Sequence, residues 1–419
     1  MDKINPIDLV TYNRFDLMAK LLYASYREQN IKCDYAKKLY KEHLNLWNGF
    51  KEYNNPNKQS FESFQTVFDN ILDDIKESGF NNTISKVPIS SDISFLNGAH
   101  RVAACLMHNK DISTINGTDG VDGQWECGFS FFLNLGLSSE YLDSMATKYL
   151  TLKTDTKIVT LFPKANPQHE QTVISIIRKY GNIVYYKPIN LNHTGLFNLT
   201  RQLYKDEPWA GGWANNFLGY RQKTQLCFQE NVPTRIFLVE FDSDESAINC
   251  KKEIRELFQI SNHSVHINDY HHETIRLGRT LFNDNSIHYL NNLKLNRSLK
   301  FESLLKEYRN LIEPGREEDY CITASGVLTA YGLREANDID YLHLGDKLNA
   351  STHLISSHNE YGINRYHCHK DEILFDPNNY FWYDDVKFSS LDVVKKLKKK
   401  RNEPKDVIDI SLIDSLQQS

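Results

Sequence analysis

Two aspartates one residue apart, Asp338 and Asp340, stand near the end of the segment TASGVLTAYGLREANDIDYLHL, residues 323–344. Phosphoryl and nucleotidyl transfer need charge neutralised at the phosphates, and hard divalent cations prefer carboxylate oxygens at nearly fixed geometry. On a strand, residues i and i+2 point to one face, so these carboxylates would share a side while Ile339 enters the core. Asp338 and Asp340 are therefore the candidate ligands for Mg2+ or Mn2+. Ser325 and Gly326 open the expected helix VLTAYGL. Free amides at a helix start form a natural phosphate cradle, and Arg334 stands close enough in sequence to reach a triphosphate.

The order of small-residue turn, helix and Asp-x-Asp strand resembles the polymerase-beta-like nucleotidyltransferase superfamily. That family has a Gly/Ser pair, about nine to thirteen residues, then Asp-hydrophobic-Asp-hydrophobic; here the pair is Ser325-Gly326, in reversed order, and the acidic motif is Asp338-Ile339-Asp340-Tyr341. The resemblance covers about residues 315–419. It implies a third carboxylate on a neighbouring strand: Asp371, entering the expected strand EILF, is the first choice and Asp376 the second. The C-terminal residues Lys398, Arg401, Lys405, Asp406 and Asp409 match the family's tail. The implied activity is Mg-dependent transfer from an NTP to a small-molecule acceptor, with Asp371 assisting the attacking hydroxyl and glycan biosynthesis as the context suggested by analogy.

A second segment, ISFLNGAHRVAACL, sets Gly98-Ala99-His100-Arg101 between a strand and a helix. It resembles the ParB/sulfiredoxin-like superfamily over roughly residues 75–115, which implies that Gly98, His100 and Arg101 lie near nucleotide phosphates. Helix amides and a forked guanidinium both favour that geometry. The family includes phosphate-transferring and purely binding members, so two alternatives stand beside nucleotidyl transfer: an ATP-dependent kinase using this segment, and a non-catalytic nucleotide- or nucleic-acid-binding protein. The middle of the chain resembles, faintly, nucleoside diphosphate kinase, with His266 and Asp269 at the positions of its phosphoacceptor motif. The default for His266 is an ordinary core or loop histidine, and for Trp209 and Trp213 closure of a core.

These residues need a scaffold of several units. The chain has 419 residues, enough for two or three cores, and an aromatic content of 12% supplies them. An α+β multidomain fold is expected: a helical lead-in over 1–74, a ParB/sulfiredoxin-like unit over 75–150, an α/β sandwich over 151–312, in which strands, QLCF among them, alternate with helices, and a nucleotidyltransferase-like unit over 313–419. With 49 basic and 54 acidic residues the net charge is −5, which gives no whole-chain signature for nucleic acid. Seven cysteines without a CxxC pair argue against a disulfide framework or structural zinc, so they read as buried thiols. No basic leader precedes an apolar stretch and no window reaches membrane-span length, so the expected compartment is the cytoplasm. The basic run from Lys395 to Lys405 reads as a solvated helix face.

Overall fold

The computed structural model describes residues 3–52, 57–90, 94–117 and 127–417. It is a mixed α and β structure with three separate sheets. The N-terminal region packs α1 (Leu17–Glu28), α2 (Tyr35–Asn48) and α3 (Phe61–Ser78) against α4 (Ala99–His108). In α3, Phe61, Phe64, Phe68, Leu72 and Ile75 recur at helical spacing and are all buried, and a Ser60/Ser63 capping box fixes its start. Strand β1 (Lys3–Ile4) runs antiparallel to β3 (Ile112–Asn116), which pairs in parallel with β2 (Val87–Ile89). The crossover from β2 to β3 is α4. Helices α5 (Phe129–Asn134) and α6 (Ser139–Leu152) follow, and α6 packs on α1.

The middle region is built on four antiparallel strands in the order β5-β6-β4-β7: β4 (Thr156–Leu161), β5 (Gly181–Ile189), β6 (Thr234–Phe241) and β7 (Val265–Ile267). Helix α7 (Glu170–Tyr180) links β4 to β5, and α10 (Asp244–Phe258) links β6 to β7. This βαββαβ order is the split βαβ arrangement. Both helices cover one sheet face, around Val159, Phe237 and Val239. The opposite face, carrying Ile158, Ile236 and Leu238, belongs to the main core shared with the N-terminal helices. Between β5 and β6 are α8 (His193–Leu203) and α9 (Leu218–Cys227). The expected strand QLCF is the end of α9, because Tyr220, Thr224 and Cys227 face inward at helical spacing. Trp209 and Trp213 do not close a core: they are 48% and 37% exposed. Trp213 rests on Phe217 instead.

After β7 come α11 (His271–Leu281), α12 (Asp284–Asn292) and α13 (Leu299–Leu311). The last sheet has the order β10-β9-β8-β12-β11, from β8 (Tyr320–Thr323), β9 (Ile339–His343), β10 (Ile355–Ser357), β11 (Tyr380–Tyr383) and β12 (Val386–Ser389). The short α14 (Ser325–Ala330) joins β8 to β9, α15 (His358–Tyr361) follows β10, and α16 (Lys370–Phe375) precedes β11. Helices α17 (Leu391–Arg401) and α18 (Pro404–Gln417) close the chain. Phe301, Leu304 and Tyr308 of α13 share a core with Ile322, Ile339, Tyr341 and Phe388 of this sheet. The segment EILF forms part of α16, not a strand: the His369 side chain caps the Asp371 amide at 3.2 Å, and Asp371 and Glu372 suit a helix first turn. Six cysteines are buried and Cys368 is half-buried, all with free thiols. Among the described residues, no helix is long and apolar enough to cross a membrane.

Candidate functional site

The start of α4 opens onto a cavity of about 730 Å³. Gly98 is the residue before the helix and adopts φ 93°, a left-handed conformation that favours glycine. A β-carbon there would lie 2.7 Å from Nη2 of Arg101, so the bare glycine lets the guanidinium lie across the turn. Arg101 donates to the Lys86 carbonyl at 3.3 Å. His100 also lines the cavity: its Nε2 is 2.8 Å from the Tyr40 hydroxyl and its ring packs edge-on against Phe68. Burial holds His100 well below the usual imidazole range, so it is neutral.

The opposite wall comes from residues that motif reading passed over. Arg14 grips both oxygens of Asp16, at 2.9 and 3.1 Å, and Lys20 adds a third contact at 3.0 Å. All three are buried. Burial alone would push the Asp16 carboxyl up, but Arg14 and Lys20 outweigh it and hold the group well below its ordinary value. The same burial pulls the Lys20 ammonium down. His43 is fully buried, neither ring nitrogen has a hydrogen-bond partner among the described residues, and burial keeps it neutral. With Lys51, Lys58, Glu52 and Arg101 the wall carries five bases against two acids, in a chain whose net charge is −5. The signal was present in NRFDLMAK, where Asp16, just before the helix, and Lys20 stand four apart with only Leu17, Met18 and Ala19 between them.

The C-terminal candidates divide. Ile339 is fully buried while Asp338 and Asp340 are not, which fits the alternation expected of a strand. Among the described residues the Asp338 side chain has no hydrogen-bond or ion-pair partner. Asp340 pairs across β9 and β10 with Ser356, whose hydroxyl donates to it at 3.2 Å, and His358 Nε2 approaches at 3.3 Å. Burial raises the Asp340 carboxyl, yet His358 and Ser356 bring it below its usual range. From His358 a polar chain continues through Tyr366, at 2.8 Å, and Thr323, at 3.2 Å, to Ser389, at 3.1 Å. Residues Ser356, His358 and Tyr366 were not singled out in the sequence; the cue for the first two is the polar run SSHNEY after a short apolar stretch.

Asp371 does not join this group. It sits at the other end of β9, beside Leu344 and Gly345, and accepts from the Lys32 backbone amide at 2.7 Å. Four residues of strand separate that end from Asp340, roughly 13 Å. Asp376 caps the amide of Asn378. Among the described residues, no three histidine, cysteine or acidic side chains converge as a metal site. The donor set for the expected Mg2+ is thus incomplete, and one of its two carboxylates is already engaged by His358. Arg334 is held bidentately by Asp409, at 2.5 and 2.9 Å. The helix α14 that starts at Ser325 and Gly326 has six residues. His266, on β7, packs its ring against Tyr204 at 4.9 Å and is driven by burial down to about 3. Asp269 is exposed and 3.8 Å from Lys251.

Comparison with protein-family models, with curated proteins and with solved structures gives no match.

Proposed function

We propose that the protein is a nucleotide-dependent phosphotransferase whose phosphate site is the cavity at the start of α4. The observation that carries this reading is the concentration of Arg14, Lys20, Lys51, Lys58 and Arg101 around one space of about 730 Å³. That volume lies within the range of small-molecule sites. Positive charge in a low-dielectric recess attracts a polyphosphate and stabilises charge that develops during transfer. Asp16 orients Arg14 and Lys20, and because those two cations hold its carboxyl far down it is too weak a base to take the proton. Glu52, 3.0 Å from Lys58 and on the more open side, accepts the proton of an acceptor hydroxyl. The hydroxyl oxygen bonds to the terminal phosphorus as the bridging P–O bond breaks, leaving a nucleoside diphosphate and a phosphorylated small molecule. Magnesium enters with the nucleotide as part of the substrate.

Titration of the full chain with each Mg-NTP should raise its melting temperature, since a ligand of the folded state alone stabilises it. Arg101→Ala should weaken the best nucleotide at least tenfold. An unresponsive wild type, or a variant that responds equally, overturns the proposal.

A second reading keeps nucleotidyl transfer at the C-terminal sheet. Its support is the order β8, α14, β9, which sets Ser325 at the end of one strand and Asp338 and Asp340 at the start of its antiparallel neighbour. With the third carboxylate lying elsewhere, no metal-dependent step is derived. The expected outcome that separates the readings is pyrophosphate release from an NTP, lost in Asp340→Asn. Nucleoside diphosphate formation that survives Asp340→Asn but not Arg101→Ala places the chemistry at α4.

A further inference from the structure

A smaller cavity, about 150 Å³, lies where the N-terminal helices, α6, α11 and the C-terminal sheet meet. Its wall carries Ser25 of α1, Lys148 of α6, Arg279 of α11, and Glu318, Tyr380 and Lys387 of the C-terminal region. Glu318 is matched by Arg279, whose Nη2 donates to it at 3.1 Å. Asp319, also on the wall, is matched by Arg316 at 2.7 Å. The two lysines are different. Lys387 is 3% exposed and donates to the carbonyls of Glu318 and Leu374, at 2.6 and 2.7 Å. Lys148 donates to the Ser25 hydroxyl at 3.2 Å. Among the described residues, neither ammonium has a carboxylate within ion-pair distance.

An unpaired charge inside a protein is expensive unless something neutralises it. Glu318 acts as a counter-charge to both lysines but is already paired with Arg279, so the cations around this narrow space outnumber its unshared carboxylates. We infer that this junction binds a phosphate group, held by Lys148 and Lys387. A tetrahedral oxyanion offers acceptors to both, and the cavity has room for a phosphate group. The source is either free inorganic phosphate or the terminal monoester of a small metabolite.

The location gives binding a structural consequence. Helix α1 carries Lys20 toward the larger cavity and Ser25 and Tyr26 toward this one. A ligand here ties α1 to α6, α11 and β12 at once, at a point remote from Gly98. The inference does not depend on the phosphotransferase reading.

The test uses the full chain carrying Arg101→Ala, so that the larger cavity is weakened. Inorganic phosphate and glycerol phosphate are titrated against potassium chloride at matched ionic strength, with melting temperature and amide hydrogen exchange as readouts. Phosphate should raise the melting temperature and slow exchange in residues 147–151 and 386–389, and Lys148→Met should weaken the response at least tenfold. Lys387→Met should do the same; Lys148→Met, at a half-buried helix position, keeps the test decisive if Lys387→Met fails to fold. Tighter binding of the monoester assigns the site to a metabolite headgroup, and tighter binding of inorganic phosphate assigns it to the free ion. No response to either, or one unchanged by Lys148→Met, overturns the inference.

Discussion

Asp16→Asn should lower the stability of the N-terminal region by about 3–5 kcal/mol, the typical cost of breaking a buried ion pair by removing one partner. The substitution keeps the shape of the side chain and removes its charge. Arg14 and Lys20 would then face each other across a site where Arg14, Asp16 and Lys20 side chains are 5%, 1% and 4% exposed. Screening by solvent cannot relieve that repulsion. Taking 2–4 °C per kcal/mol for a cooperative unit of this size, the melting temperature should drop by about 10 °C. The pH dependence gives a second check. The folded-state value of Asp16 is depressed, so its contribution is fully present above the unfolded carboxylate value of about 3.9 and is lost as pH falls further. Urea unfolding at pH 7 should therefore separate wild type and variant clearly, and the gap should narrow steadily below about pH 4. A constant gap would mean that Asp16 acts through packing and not through charge.

That site also shows what a sequence can and cannot yield here. The apolar periodicity of α3, α7 and α10 was legible because each helix covers one core with one face. The strand and helix alternation of the middle region was legible for the same reason, although the sequence could not tell that β4 would sit between β6 and β7. The two failures of element type, QLCF and EILF, are short apolar runs, which periodicity cannot divide between strand and helix. Gly98 and Arg101 stood out because a glycine before a helix and a guanidinium behind it are neighbours in the chain. The Arg14–Lys20 stretch, the lysines Lys51 and Lys58, and Arg101 come from separate segments, and only folding brings their charges to one cavity. Asp338 and Asp340 were legible as a pair, yet the fate of Asp340 and of the expected third carboxylate depended on distant residues. Ser356 and His358 engage Asp340 through strand pairing, and Asp371 is diverted to the amide of Lys32. The basic run at 395–405 looked like a solvated face, but Lys398 is buried between Asp406 and Asp409.

The last of these contacts gives the other large effect. Asp409 is 2% exposed and holds two cations, Lys398 at 2.5 Å and the guanidinium of Arg334. Arg401 holds Asp406 by both oxygens, at 2.9 and 2.5 Å, and that carboxyl is lowered to about 2 although burial opposes it. The network therefore fastens α17 and α18 to the turn that leads into β9. Asp409→Asn leaves Lys398 with the more distant Asp406, at 3.4 Å, and leaves Arg334 unanchored. Arg334 is 31% exposed and can turn to water, which places the loss nearer about 2–3 kcal/mol than the full cost of an isolated buried charge. The expected result is a lower urea midpoint and faster hydrogen exchange from Leu333 through Asp340. Because Arg334 is released from its clamp, the same variant separates two roles for that residue. If Arg334 serves only to position the turn before β9, nucleotide binding should fall or stay level in Asp409→Asn. Tighter NTP binding in the variant would instead show that Asp409 had been withholding the guanidinium from a phosphate site beside Asp340.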